Sequence, residues 1–254
     1  MSPGKRKIAI GIALLSALFA FGCGGGGGEE SGAGATQALP QGSEEVDLRP
    51  SDFTAEIDNP YWPMRPGSRW TYRESNGEGG VQIDVVTVTD RTRKLANGIE
   101  ARVVHDVVSQ GGHPVEVTDD WYAQDAQGNI WYMGEQTAEY ENGKVATREG
   151  SWEAGVDGAQ PGIALPAEPQ QGIAYRQEYY AGQAEDQGEV IATGGQAEVP
   201  FGHFTEVVST QDTSPLEPRV VEYKFYAPGV GPVLTLDVSG ESGREELIDF
   251  TGGP

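Results

Sequence analysis

Asp119-Asp120-Trp121-Tyr122-Ala123-Gln124-Asp125-Ala126-Gln127-Gly128-Asn129-Ile130-Trp131-Tyr132-Met133-Gly134-Glu135 is the stretch on which the fold turns. Two aromatic-rich runs flank a loop opened by Asp and closed by Gly. Asp favours turn starts because its side chain accepts from backbone amides, and Gly suits the left-handed closing position. A four-residue loop, Asp125–Gly128, would set Gln124 opposite Asn129, Tyr122 opposite Trp131 and Trp121 opposite Tyr132. Side chains alternate along a strand, so Trp121 and Tyr132 would share one face, and Tyr122 and Trp131 the other. Both faces of the hairpin are then aromatic. One belongs to the core, and the other must be covered or serve as a binding surface. The segment Gly150–Pro169, with Trp152, Ile163 and Leu165 among glycines and prolines, reads as a long loop. It is expected to pack over one aromatic face, with any ligand pocket beneath it.

Outward from this hairpin the chain reads as strands and turns. Val81, Ile83 and Val85 alternate on one face, while Val86 and Val88 fall on the other, which predicts a bulge between them. Asn97-Gly98, Gly111-Gly112 and Asn142-Gly143 mark hairpin turns. Ile99, Ala101, Val103, His105 and Val107 share a face, which makes His105 a core histidine. After the long loop, Tyr175–Ala181, Glu189–Thr193, Phe204–Thr210, Val220–Tyr226, Val233–Val238 and Arg244–Phe250 read as strands. Consecutive strands joined by short turns form an antiparallel meander. About a dozen strands in one unit must curl. The expected fold is therefore all-β, a strongly curved sheet or partly open barrel, preceded by a signal helix and a disordered linker.

The N-terminus supplies the address. Lys5-Arg6-Lys7 precede the apolar run Ile8–Phe21, the charged and hydrophobic regions of a secretory signal. Leu18-Phe19-Ala20-Phe21-Gly22-Cys23 resembles a bacterial lipobox, with Ala20 where that pattern has Leu. Cys23 would then become a lipid-modified N-terminus on the extracytoplasmic face; the alternative is an ordinary signal peptide with an incidental cysteine. With one Cys in the chain no internal disulfide can form. Gly24–Gly28 and the polar run after it form a tether too poor in apolar residues to fold. The domains are accordingly 1–22 signal peptide, 23–45 lipidated Cys and tether, and 46–254 a single β-rich domain.

The chain carries 39 acidic against 17 basic residues, and loss of residues 1–22 would take the formal charge from −22 to −25. Such a surface excludes nucleic acid and disfavours anionic headgroups as partners. No spacing matches a zinc site, a serine-nucleophile elbow or a phosphate-binding loop. Catalytic residues are thus expected to be none, and the chain not to be an enzyme. What remains is carboxylate near aromatic rings. Trp121, Tyr122, Trp131, Glu135, Trp152, Glu153, Asp157 and Glu178 are the candidate ligand-binding residues. Acids beside Trp and Tyr can bind sugars, act as a hydrolase pair or hold calcium through hard oxygens, although no calcium-loop spacing is present.

Asp58-Asn59-Pro60-Tyr61, the Trp121–Glu135 run, the Gly150–Ala159 run, Glu198-Val199-Pro200-Phe201-Gly202-His203-Phe204 and Phe225-Tyr226-Ala227-Pro228-Gly229-Val230-Gly231-Pro232-Val233 together resemble an uncharacterised family of bacterial exported proteins and lipoproteins. The C-terminal part is similar to half-barrel periplasmic carrier-like proteins. The resemblance brings no catalytic residues. It implies a lipid-anchored envelope protein with a non-catalytic binding or structural role. The alternatives are a carrier of an apolar ligand in a concave sheet, and a carboxylate-dependent hydrolase or sugar-binding protein. Expected partners are the membrane, through the anchor, and an envelope protein, glycan or apolar ligand.

Overall fold

The computed structural model describes residues 39–75, 80–239 and 243–254. The signal segment, Cys23 and the tether through residue 38 lie outside the described residues. In chain order the strands are β1 (Phe53–Thr54), β2 (Arg69–Ser75), β3 (Val81–Lys94), β4 (Glu100–Gln110), β5 (His113–Asp125), β6 (Ile130–Glu141), β7 (Lys144–Thr147) and β8 (Trp152–Glu153). They continue as β9 (Gln160–Leu165), β10 (Ala174–Arg176), β11 (Glu178–Tyr179), β12 (Gln187–Val199), β13 (Gly202–Thr213), β14 (Val221–Ala227), β15 (Gly231–Asp237) and β16 (Arg244–Thr251). Strands β2 to β6 and β12 to β16 are two meanders, and β16 returns to pair with β2. The result is one antiparallel sheet, as the turn spacing predicts.

That sheet is a nearly closed barrel. Its path runs from β10 through the two meanders to β9 and β11, and the two end strands are consecutive in sequence. Ala174–Arg176 pairs with β12, the chain passes through Gln177, and Glu178–Tyr179 pairs with β9. The run expected as one strand from Tyr175 is therefore split, because each half serves a different edge. Across this seam the Arg176 guanidinium donates to Pro161 O at 2.8 Å, and to Gly42 O and Glu44 O at 2.9 and 2.6 Å. Arg176 N–H donates to Pro40 O at 2.7 Å. The folded part thus reaches back to residue 39, earlier than the boundary at 46 read from composition. Gly162 sits where the two edges press closest: a methyl there would collide with the Arg176 and Gln177 carbonyl oxygens.

The central hairpin corrects the expected register. Asp125 N–H donates to Asn129 O, which closes a three-residue loop, Ala126–Gly128. Gly128 takes φ +94°, and the Asp125 carboxylate accepts from the amides of Gln127 and Asn129. Tyr122 therefore pairs with Tyr132, and Ala123 with Trp131. A one-residue slip exchanges the faces, and here it sorts the rings by chemistry. Both tyrosines point into the barrel, and both tryptophans point out. Met133 and Gly134 then oppose Trp121 as a bulge, which restores Asp120 opposite Glu135 on the inner face.

Three further expectations are corrected. Val85 and Val86 pair without interruption with Val107 and Asp106, and the bulge in β3 comes later, between Val88 and Thr92. Val86 and Val88 face inward simply because the inner face needs apolar side chains too. His105 lies on the outer face, half exposed, with Nδ1 2.7 Å from Asp119 Oδ1. Gly150–Pro169 is not an irregular cover. It contains β8 and β9, which extend the sheet beyond β6 edge to edge.

One end of the barrel is plugged by the proline-fixed lead-in. Gln124 Oε1 accepts from the amides of Asp58 and Asn59, and Asn59 Nδ2 donates to Gly128 O at 3.0 Å. Pro60 O accepts from Gly229 N, in the β14–β15 turn on the opposite wall. Between these anchors the Trp62 ring stands 5.4 Å from that of Tyr122 and 5.7 Å from that of Tyr226. The outer wall carries ion pairs such as Arg73–Glu246 and Arg91–Asp119, where a transmembrane barrel would present an apolar band. Among the described residues no helix is long and apolar enough to cross a membrane. Gly162→Ala should lower stability by roughly 1–3 kcal/mol, the usual range for overpacking, in urea unfolding. An unchanged midpoint would show that the edges do not meet there.

Candidate functional site

The inner wall is built by strand register. Tyr72 pairs with Asp84, Glu245 with Glu74, Val86 with Asp106, and Asp120 with Glu135. Directly opposed residues share a face, so these side chains converge on the lumen. Lys224 and Glu222 of β14, Asp212 of β13 and Asp186 before β12 complete the wall. The result is an interior lined by carboxyls and tyrosines in which, among the described residues, one lysine is in direct contact: Lys224 Nζ lies 2.7 Å from Asp212 Oδ2.

Burial raises Asp84, Asp106, Asp120, Glu135, Glu178, Asp186, Glu222 and Glu245 above the ordinary carboxylate range. A carboxylate taken from water loses hydration that only partners can replace. Asp84 is pushed up by burial, partly offset by Asp106 and Glu245, both of which are also raised by burial and then by Asp84. Glu135 is raised by burial and by Asp120; Glu178 by burial and by Asp186. Asp186 rises through burial, against the pull of Ser214 and Lys224. Asp120 and Glu222 are each pushed up to about 7, chiefly by burial. For Lys224 burial acts against the charge, but Asp212, Tyr226 and Glu222 outweigh it and hold the ammonium well above its usual range.

Tyr132 shows how protons are shared. Its Oη lies 2.8 Å from Asp120 Oδ1 and 3.1 Å from Glu135 Oε2. A phenol has one hydrogen to donate. If it donates to one carboxyl, the other must keep its own proton to complete the bridge. Asp84 Oδ1, Asp106 Oδ1 and Glu178 Oε2 are buried without a hydrogen-bond partner. Burial and the closeness of like charges thus favour the protonated form of these acids.

The eight residues singled out in sequence divide. Tyr122, Glu135, Trp152 and Glu178 come together on or beside the inner wall. The Tyr132 ring lies 5.1 Å from Tyr122 and 5.6 Å from Trp152. The Trp152 indole partly offsets the upward shift of Glu178, although Nε1 makes no hydrogen bond of good geometry. The other four are elsewhere. Trp121 packs outside under the Arg93 guanidinium, 4.0 Å from its ring, and Glu153 holds that same arginine at 2.6 Å. Trp131 donates to Asp125 Oδ2 and packs against Phe53. Asp157 is exposed in a turn, at φ +50°. Asp84, Asp106, Asp120, Glu222 and Glu245 were not singled out, because acids alternating with other residues read as a solvated face. Among the described residues no group of three His, Cys, Asp or Glu is arranged to hold a metal ion.

Fold and interior define a class: a nearly closed antiparallel barrel, plugged at one end by a tryptophan and lined with carboxyls. No family model and no curated protein matches the chain. Among solved structures it is similar to that of a "putative lipoprotein" from Parabacteroides distasonis ATCC 8503, at 14% identity, covering 76% of this chain and 99% of that one, with a TM-score of 0.43.

The raised acids fix the direction of pH dependence. Each binds its proton more tightly in the folded than in the unfolded chain. The stability this contributes is full below the unfolded values near 4 and is lost as pH climbs through the folded ones. Asp120 and Glu222 lose theirs around pH 7. The melting temperature should therefore be higher at pH 5 than at pH 8.5 by several degrees, at about 2–4 °C per kcal/mol for a domain of this size. A melting temperature that is flat or rising over that interval would contradict the buried-acid interior.

Proposed function

We propose that this protein is a lipid-anchored, extracytoplasmic binding protein without catalytic activity, and that its barrel interior takes a small cationic ligand. The observation that carries the reading is the imbalance of the inner wall: five buried and three partly buried carboxyls, all raised, against the one ammonium of Lys224 among the described residues. An amine entering the lumen supplies the missing positive charge, lets carboxyls ionise in pairs with it and satisfies their orphan oxygens. An acyl chain would meet the same carboxyls and leave them without partners, so the interior favours a cation over an apolar cargo. Hydrolase pairs stand about 5–9 Å apart with substrate between them. Here, after burial, Asp84 raises Asp106 and Asp186 raises Glu178, the mutual influence of neighbouring like charges.

The anchor part of the proposal rests on Lys5-Arg6-Lys7, the apolar run after them and Cys23. Several acyl chains on one cysteine hold firmly, since each buried CH₂ contributes about 0.8 kcal/mol. Cys23→Ser should release the protein from membranes; retention through a carbonate wash would contradict the anchor. For the ligand, spermidine at pH 8 should raise the melting temperature more than sodium chloride of equal ionic strength. Asp120→Asn/Glu135→Gln should by itself be more stable at pH 8, and should lose most of the spermidine response. Equal shifts with spermidine and salt would overturn the cationic-ligand reading.

A further inference from the structure

The outer wall of the barrel carries an apolar stripe that the lumen does not explain. Val85 pairs with Val107, Val107 with Val117, and Val117 with Ala138, in one row across β3 to β6. Directly opposed residues share a face. Val107 and Val117 lie two residues from His105 and Asp119, so the row stands on the outer wall beside that pair. Ile83 and Val81 continue it along β3, and Val81 is 51% exposed. Val85, Val107 and Val117 are partly exposed, and none of them packs against the hydrophobic core. Ala138, although buried, is outside the core cluster as well. An antiparallel sheet needs one apolar face to build a core, and its other face is ordinarily polar. A second apolar face, four strands wide, calls for a partner.

We propose that this stripe is the interface of a twofold dimer, in which a second copy of the chain lays the same stripe across it. Charge selects the occupant. The chain carries a formal charge of −22, so two copies repel one another over most of their surface. The ion pairs along the margin of the stripe are different. Arg91–Asp119 lies on one side and Arg73–Glu246–Arg244 on the other, three guanidiniums against two carboxylates. Charges farther off are screened, with a Debye length of about 8 Å at physiological ionic strength. Two acidic copies can therefore meet at this stripe without setting acid against acid, whereas a basic partner is drawn to the acidic surface elsewhere. Shape agrees with charge. A row that is aliphatic at all four positions is its own complement, as a twofold interface requires. Two sheets stack face to face about 10 Å apart with their strands about 30° from parallel. Area sets the strength. Four strands about 4.8 Å apart, with side chains about 7 Å apart along β3, cover roughly 300 Å². Standard interfaces bury about 800 Å² on each partner, so this dimer is weak, with a dissociation constant of about a micromolar or more. It lies on the face opposite the lumen and does not depend on the cationic-ligand reading.

The test uses the exported chain carrying Cys23→Ser, which has neither a lipid nor a thiol of its own. Sedimentation equilibrium at concentrations up to about 1 mM should show a reversible step from monomer to dimer. Val107→Thr/Val117→Thr keeps a β-branched side chain at both positions, so the strands should persist and circular dichroism stay unchanged. It should weaken association about tenfold or more, and should leave the spermidine response as it was. In the same background a short bismaleimide should link copies through Val117→Cys and not through Glu189→Cys, which is exposed on β12. A chain that stays monomeric throughout, a dimer indifferent to the double threonine variant, or equal linking through Glu189→Cys would each overturn the proposal. So would a monomer that sediments with phosphatidylcholine vesicles and loses that behaviour in the threonine variant, since the stripe would then meet a lipid surface. A dimer that ignores spermidine keeps this interface and sinks the lumen reading; a monomer that answers spermidine does the reverse.

Discussion

The structure depends on one carboxylate, that of Asp125. It accepts from the amides of Gln127 and Asn129, from the Asn129 side chain and from the Trp131 indole, all within 2.8–3.0 Å. Four donors on one side chain leave the hairpin no alternative loop length. The three-residue loop sets the register, and the register decides which rings face the lumen. A four-residue loop would place Trp131 inside and Tyr132 outside. The phenol between Asp120 and Glu135 would be gone, and the plug Trp62 would lose the tyrosine pair it packs against. The same loop gives Gly128 O to Asn59, so the end plug is hung on it as well.

From that register follows the interior, and the interior is unusual in its charge. Burying an isolated carboxylate is expensive, and proteins normally answer by pairing it or by keeping its proton. Here Asp212 is paired, held by Lys224, Gln177 and Thr210, while burial pushes Asp84, Asp120, Glu135 and Glu245 toward keeping their protons. Protons held on such a lining lower its negative charge, and on the proposed reading their loss is what draws a cation in. A binding role therefore comes with a built-in pH dependence: occupancy by a cation and occupancy by protons compete for the same oxygens.

Much of this was legible in the sequence, and the rest was hidden for definite reasons. Asn97-Gly98, Gly111-Gly112 and Asn142-Gly143 are turns as read, and the meander follows from them. Four of the eight candidate residues, Tyr122, Glu135, Trp152 and Glu178, stand on or beside the acidic inner wall. Trp121 and Trp131 were misplaced by a single residue of register, which no propensity resolves. Glu153 serves Arg93, a partner sixty residues away. The interior acids were missed because Asp84, alternating with Ile83 and Val85, looks like the wet side of a half-buried strand. Only closure of the barrel makes that side the dry one, and closure rests on Gln177, where the chain steps from one sheet edge to the other. Val81, on the apolar-looking side, is about half exposed (51%).

The central claim is that the barrel interior carries carboxyls that keep their protons at neutral pH. Carbon-13 NMR of the aspartate and glutamate carboxyl carbons, followed from pH 3 to pH 9, addresses it residue by residue. The account predicts a group of carboxyls with midpoints far above those of the surface acids, with Asp120 and Glu222 near 7. Arg73-bound Glu246 and Arg91-bound Asp119 should titrate below the ordinary range. Titration of every aspartate and glutamate below about pH 5, the behaviour of solvated side chains, would contradict it.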